Sequence, residues 1–185
     1  MLSKRTHSGM WQRQGFLFVS SRAQVTPFHF DPEYNFLLQA RGRKTICMWD
    51  PSNRFVLPAS ALDNYYAGIG GDPRYLNRNH QYRDEFMASA WQLPVEAGQG
   101  VHFPLHAPHV VRTESDVSIS LSVTFRTRRS QFYSMVHGAN GHVRGLGIEP
   151  PAPGTSRLWD MAANVAFRGL RKSVSMTKRI MGRPG

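Results

Sequence analysis

The run Ser118-Ile119-Ser120-Leu121-Ser122-Val123-Thr124-Phe125 alternates large apolar and small hydroxyl residues without a break. Side chains of a strand change face at every residue, so this segment as a strand has one greasy surface and one small, polar surface. Seven further short β runs precede it, at roughly 14–19, 24–30, 34–40, 43–49, 90–93, 100–104 and 108–114, with the alternating run itself spanning 117–127. Eight short strands separated by turn residues predict a β-sandwich or barrel. Arg41-Gly42-Arg43 reads as a tight turn between the third and fourth strands.

About forty residues, roughly 52–89, separate the fourth and fifth runs, too many for a structureless connection in a compact domain. Ser60 is a candidate N-cap for a short helix there, and Gly68-Ile69-Gly70-Gly71-Asp72-Pro73 marks its end. Such an insert could cover the mouth of a barrel. After Arg129 the texture changes: Pro150-Pro151-Ala152-Pro153-Gly154 is a break, and Leu158 to Met181 reads as mainly helical. The chain therefore divides into an extension over 1–13, a β domain over 14–129 and a basic, helical extension over 130–185.

A chain of 185 residues is long enough to bury one sizeable core. No stretch approaches the ~20 apolar residues needed to cross a bilayer, and the first seven residues are not followed by the apolar run of a secretory signal. Cys47 is the only cysteine, which excludes an internal disulfide and makes a reducing cytoplasm the simplest compartment. The net charge of +11 invites a nucleic-acid reading. Residues 155–185 alone hold seven basic and one acidic residue, or +6, so more than half the excess lies in the tail. Arginine outnumbers lysine 19 to 4, and only Lys44 falls inside the strand-rich body.

His29 and Asp31 are two residues apart, so on a strand they project to one face and can bind one ion side by side. A third ligand must come from another strand, and His109, at the start of the seventh run, is the candidate. Two imidazoles and one carboxylate occupy one face of an octahedral ion and suit non-haem Fe(II), leaving the other face open. A His-x-Asp pair alone is weak evidence, since it arises readily by chance and commonly serves surface hydrogen bonding.

The context adds specificity. Gln24-Val25-Thr26-Pro27-Phe28-His29-Phe30-Asp31, then Asn35-Phe36-Leu37-Leu38-Gln39, then Gly42-Arg43-Lys44, ending in Pro104-Leu105-His106-Ala107-Pro108-His109 and the strand to Phe125, resembles the Jumonji-C and related cupin-like Fe(II)/2-oxoglutarate oxygenases, especially the asparaginyl-hydroxylase-like branch. The resemblance covers residues 14–127 in the family's motif order. It implies an all-β double-stranded β-helix, or jelly roll, with a partly helical insert and a C-terminal helical tail. It also implies His29, Asp31 and His109 as iron ligands, Lys44 as the cation for the distal carboxylate of 2-oxoglutarate, and Thr26 and Asn35 as further co-substrate contacts. The expected activity is hydroxylation of a C–H bond in an unidentified substrate, a protein side chain or a small molecule, with Fe(II) as cofactor and 2-oxoglutarate as co-substrate.

The chemistry of the residues agrees. A dianion that chelates iron at one end needs a cation deeper in the barrel, and lysine can serve as that point charge. The row Ser118, Ser120, Ser122 and Thr124 would leave room for the ligand and offer hydroxyls, although the same row could be the wet side of an amphipathic strand. Arg126 continues that row and is the rival anchor. His102 and His106 lie near His109 and read as structural or supporting residues, while His7, His80, His137 and His142 show no ligand spacing and read as surface residues.

The match has departures. Thr124 stands where the asparaginyl-hydroxylase-like branch carries an amide, and only about thirteen residues precede the first core strand, where family members have a substantial segment. A shortened or non-catalytic cupin-like binding protein is therefore the alternative. A metal cupin of another reaction class is a third reading, against which Lys44 argues. In the tail, Arg168, Arg171, Lys172 and Arg179 fall at helical spacing on one side, with Leu158, Met161, Ala162, Val165 and Met181 supplying apolar positions for the other. That pattern predicts a solvated helix packed on the body or on a second copy in a homodimer, in preference to a nucleic-acid or anionic-membrane partner.

Overall fold

A computed structural model describes residues 9–69 and 82–180, with side chains through Ser173. The described residues group into two compact units: 9–58 with 82–130, and 59–69 with 131–180.

The first unit holds eight strands: β1 (Trp11–Ser21), β2 (Val25–His29), β3 (Tyr34–Arg41), β4 (Arg43–Met48), β5 (Trp91–Glu96), β6 (Gly100–Phe103), β7 (His109–Thr113) and β8 (Val117–Arg126). They form two four-stranded antiparallel sheets, ordered β1-β8-β3-β6 and β2-β7-β4-β5. This interleaving, in which consecutive strands alternate between sheets at both ends of the chain order, is the double-stranded β-helix, or jelly roll. The expected strands are all present. The first is longer than its local pattern predicts, because β8 offers ten residues to pair with and carries β1 through the strand-weakening Gly15, with a register shift between Trp11 and Gln14. Pro94, which cannot donate to a ladder, sits on β5 at a sheet edge. Gly42 turns β3 into β4 at φ +75°, where a Cβ would lie 2.5 Å from the Val117 carbonyl oxygen, so the turn excludes any side chain.

The interior is divided by chemistry. Leu37, Ile46, Met48, Val95, Phe103 and Ala107 form an apolar cluster. Beside it, Gln39, Lys44, Ser118, Ser120, Ser122 and Thr124 are also buried, whereas Leu121 of β8 and Leu17 and Val19 of β1 are exposed. Strand β8 is thus turned inside out relative to the usual rule: its hydroxyl row faces inward, and Leu121 of its aliphatic row faces outward. A second cluster, Phe28, Trp49, Val56 and Phe86, joins β2 and β4 to the 3-10 helix Asp84–Ser89, with Trp49 Nε1 donating to the Phe86 carbonyl at 2.7 Å.

The second unit is helical: α1 (Ala59–Ala67), α2 (Arg128–Gly145, from residue 131 onward) and α3 (Arg157–Ile180). Helix α1 lies within the expected insert helix region and begins one residue before Ser60. Asp63 of α1 is buried and accepts from Arg144 Nε at 2.7 Å, while His137 Nδ1 lies 2.7 Å from its other oxygen. His137 is therefore a buried residue of an ion-pair network and not the surface residue its isolation in sequence suggests. Gly141 lets α1 approach so closely that a Cβ there would meet the Asp63 carbonyl oxygen at 2.5 Å, and Gly138 leaves room for the Phe167 ring of α3. Ser156 caps α3, its Oγ accepting from the Trp159 amide at 3.4 Å.

Candidate metal centre

Antiparallel pairing of β2 with β7 places His29 directly opposite His109, with ring centroids 4.1 Å apart. Residues separated by eighty positions thereby become a cross-strand pair. Asp31, two residues past the end of β2, turns its carboxylate to both rings: Oδ1 is 3.8 Å from His29 Nε2 and Oδ2 is 3.8 Å from His109 Nε2. All three ligand atoms lie within 4.8 Å of one another. Donor atoms sharing one first-row ion at about 2.1 Å lie roughly 3–4 Å apart, so this spacing suits a single ion.

The rings are held in the tautomer that metal binding requires. His29 Nδ1 lies 2.6 Å from the Pro27 carbonyl and His109 Nδ1 lies 2.9 Å from the Ala107 carbonyl. A carbonyl can only accept, so each Nδ1 carries the proton and each Nε2 presents its lone pair to the cluster. Both histidines use the carbonyl two residues earlier, so the same short motif orients each ring. His109 is buried, and its pKa is pushed down to about 4 by desolvation and the His29 imidazole, against the pull of Asp31. It is neutral near pH 7, as a metal ligand must be. Asp31 and His29 remain partly open to solvent.

His106 and His102 stay outside the cluster. His106 occupies the third position of the turn closed by the Ala107 amide to the Pro104 carbonyl at 3.0 Å, at φ +63°, and its own amide donates to the Asp31 carbonyl at 3.2 Å. It therefore fixes the backbone that carries the carboxylate. His102 lies on β6 opposite Phe36 and packs its ring against Phe36 and Tyr34.

Lys44 is 4% exposed, and its Nζ donates to Ser120 Oγ at 2.8 Å. Desolvation lowers its pKa, and no carboxylate pairs with it among the described residues. It lies on β4 opposite Thr113, four residues from Met48, the residue opposite His109. That is about 13 Å along the strand. Arg126, the rival anchor, is already neutralised: its Nε donates to Glu33 Oε1 at 3.0 Å. Asn35 is buried on β3 and accepts from Ser122 Oγ at 2.6 Å. Adjacent inward serines of β8 thus hold Lys44 and Asn35. Thr26 lies opposite Val111 and is exposed, so it is not gathered into the buried set.

Gln39 carries no role in the sequence reading, yet its Nε2 donates to Ser118 Oγ at 2.8 Å while its buried Oε1 has no partner. The available signal was its position: Asn35, Leu37 and Gln39 form the inward row of β3, and two of those three are polar. A buried cation without an anion and a buried acceptor without a donor fit a polar ligand better than a packed core.

Fold and site together define a jelly-roll protein with a two-histidine, one-carboxylate cluster at the end of a polar interior. No family model matches the chain, and no curated protein matches it by sequence. Solved structures that it resembles include a cupin superfamily protein from Desulfitobacterium hafniense, 11% identical over 61% of this chain and 66% of that one, with a TM-score of 0.37. Another is an RmlC-like cupin with a double-stranded β-helix fold from Methanocaldococcus jannaschii, 12% identical over 68% and 79% of the two chains, with a TM-score of 0.39. A third is Bacillus subtilis oxalate decarboxylase, which has Mn(II) centres, 12% identical over 65% of this chain and 22% of that one, at 0.41. The chain spans just under two thirds of the Desulfitobacterium protein. The jelly-roll assignment rests on the strand order itself.

Proposed function

We propose that this protein is an Fe(II)- and 2-oxoglutarate-dependent oxygenase of the Jumonji-C/cupin-like kind, hydroxylating a C–H bond of a substrate such as a protein side chain, in a reducing compartment such as the cytoplasm. The observation that carries the reading is Lys44, a buried ammonium without a carboxylate among the described residues, in the same jelly roll as His29, Asp31 and His109. A divalent ion alone gives no reason to bury that charge; a dicarboxylate reaching from the ion into the barrel does.

In this reading His29 Nε2, Asp31 and His109 Nε2 hold Fe(II), and the Pro27 and Ala107 carbonyls keep both imidazoles in the ligating tautomer. Lys44 neutralises the distal carboxylate of 2-oxoglutarate, and Ser120 orients the ammonium. Asn35, positioned by Ser122, contributes a side-chain amide donor. Leu37, Met48 and Phe103 exclude water from the apolar side. Bound Fe(II) and 2-oxoglutarate would supply the oxidising chemistry, in which dioxygen would give one oxygen atom to succinate, formed with loss of CO2, and the other to the substrate C–H bond.

Anaerobic titration of the apoprotein with Fe(II) and 2-oxoglutarate tests the site. The expected result is a visible metal-to-ligand charge-transfer band that His29→Ala abolishes. A folded protein with neither band nor Fe(II) uptake would sink the oxygenase reading. The exposure of Thr26 favours a second reading, a jelly-roll binding protein that holds the same anion without turning it over. Charge-transfer absorption without 2-oxoglutarate decarboxylation, even with candidate substrates, would favour it.

A further inference from the structure

Helix α3 presents a stripe that neither reading of the metal centre uses. Ala163, Asn164 and Phe167 are buried; Phe167 lies against Gly138 of α2, and Asn164 Nδ2 donates to the Phe132 carbonyl at 2.9 Å. Arg171 also faces α2, its Nη1 lying 4.0 Å from Met135 Sδ. The packed side is therefore not the apolar stripe expected from sequence. Leu158, Met161 and Val165 are instead exposed, Leu158 by 84% and Val165 by 71%. Continuing the same spacing of three and four residues, the stripe runs on through Arg168 and Lys172, both exposed. From Leu158 to Lys172 it is about 21 Å long, greasy in its first half and cationic in its second. The only acid of the helix, Asp160, is buried and accepts from the Gly154 amide at 2.9 Å, so it cannot offset that charge.

We infer that this face of α3 docks on an anionic lipid bilayer, with Leu158, Met161 and Val165 entering the headgroup boundary and Arg168 and Lys172 meeting lipid phosphates. Charge and polarity select this occupant. A second copy laid parallel would stack Arg168 and Lys172 on themselves, and one laid antiparallel would set those cations over Leu158 and Met161. Nucleic acid would satisfy the two cations but leave the three apolar side chains in water. A bilayer surface offers an apolar layer beside fixed negative charge, which is what an interfacial amphipathic helix requires. No helix among the described residues is long and apolar enough to cross a membrane, so the mode is surface docking.

The test is sedimentation of the full chain with vesicles of equimolar phosphatidylglycerol and phosphatidylcholine, against pure phosphatidylcholine. Binding should require phosphatidylglycerol and fall sharply in about 1 M salt, where the Debye length is only about 3 Å. The double substitution Leu158→Glu with Val165→Glu should cut partitioning at least about tenfold. Arg168→Glu with Lys172→Glu should do likewise, and because all four side chains are exposed, circular dichroism should be unchanged. No binding to either vesicle, or equal binding to both, would overturn the inference. So would a dimer, seen by light scattering, that Leu158→Glu dissociates, or salt-sensitive DNA binding in the absence of vesicle binding.

Discussion

Replacing Lys44 with methionine keeps an unbranched side chain of similar length while removing the charge. The loss is a charge-assisted hydrogen bond to Ser120 Oγ, about 1.5–3 kcal/mol. The gain is relief from burying an ammonium, which costs several kcal/mol per ion even after relaxation. With Lys44 4% exposed and no carboxylate beside it among the described residues, the second effect is larger. Lys44→Met should therefore stabilise the apoprotein by something on the order of 1–3 kcal/mol, raising the urea midpoint by about 0.5–1 M. The sign also depends on pH. Desolvation lowers the folded-state pKa below 10.5, so below the folded value both states hold the proton and the full burial cost applies. As pH rises toward 10.5 the folded protein releases its proton first, wild-type stability recovers, and the gap to the variant narrows. With Fe(II) present in both, adding 2-oxoglutarate should stabilise the wild type further by mass action and the variant far less. A variant less stable than wild type near neutral pH, yet still stabilised by 2-oxoglutarate, would show that the ammonium is satisfied some other way and refute the argument.

Three further outcomes are expected. Because His109 titrates near 4 when folded and near 6.5 when unfolded, the metal-free protein should lose up to about 1.4 kcal/mol per pH unit as pH falls between those values, and His109→Gln should lose less. Equal losses in urea melts at about pH 7 and about pH 5 would contradict a buried neutral imidazole. Gly42→Ala should cost about 2 kcal/mol, from positive φ and contact with the Val117 carbonyl, lowering Tm by about 4–8 °C; an unchanged Tm would refute the turn geometry. Asp63→Ala should cost about 3 kcal/mol by leaving Arg144 and His137 without their shared carboxylate, with little effect on Fe(II) affinity; altered metal affinity at full stability would be inconsistent with a purely structural network.

The strand count, the β3–β4 turn and the pairing of His29 with Asp31 on one side of the chain were legible because each depends on residues close in sequence. The alternation in β8 was equally plain, but period two says only that two faces differ and not which one is inside. Ordinary transfer energetics put Ile119 and Leu121 inward; it took partners on other strands, Lys44 for Ser120 and Asn35 for Ser122, to put the hydroxyls there. His137 failed for the same reason, since Asp63, the residue that explains it, lies on a helix seventy-four positions earlier. In α3 the spacing of apolar residues was readable, but its packed side is chosen by Gly138, which admits Phe167 and leaves Leu158 outside.

Strand β2 is an edge strand, held to its sheet by β7 alone, and its ladder is interrupted between Thr26 and His29. An ion gripped jointly by His29, Asp31 and His109 would act there as a latch across a loop of some eighty residues. By chain-entropy reasoning a cross-link closing such a loop is worth about 4 kcal/mol. Metal loss would then be a mechanical event as well as a chemical one: the rim of the barrel would come unfastened at β2, and the chain would become cleavable by proteases near residues 22–31 before its far sheet had begun to loosen.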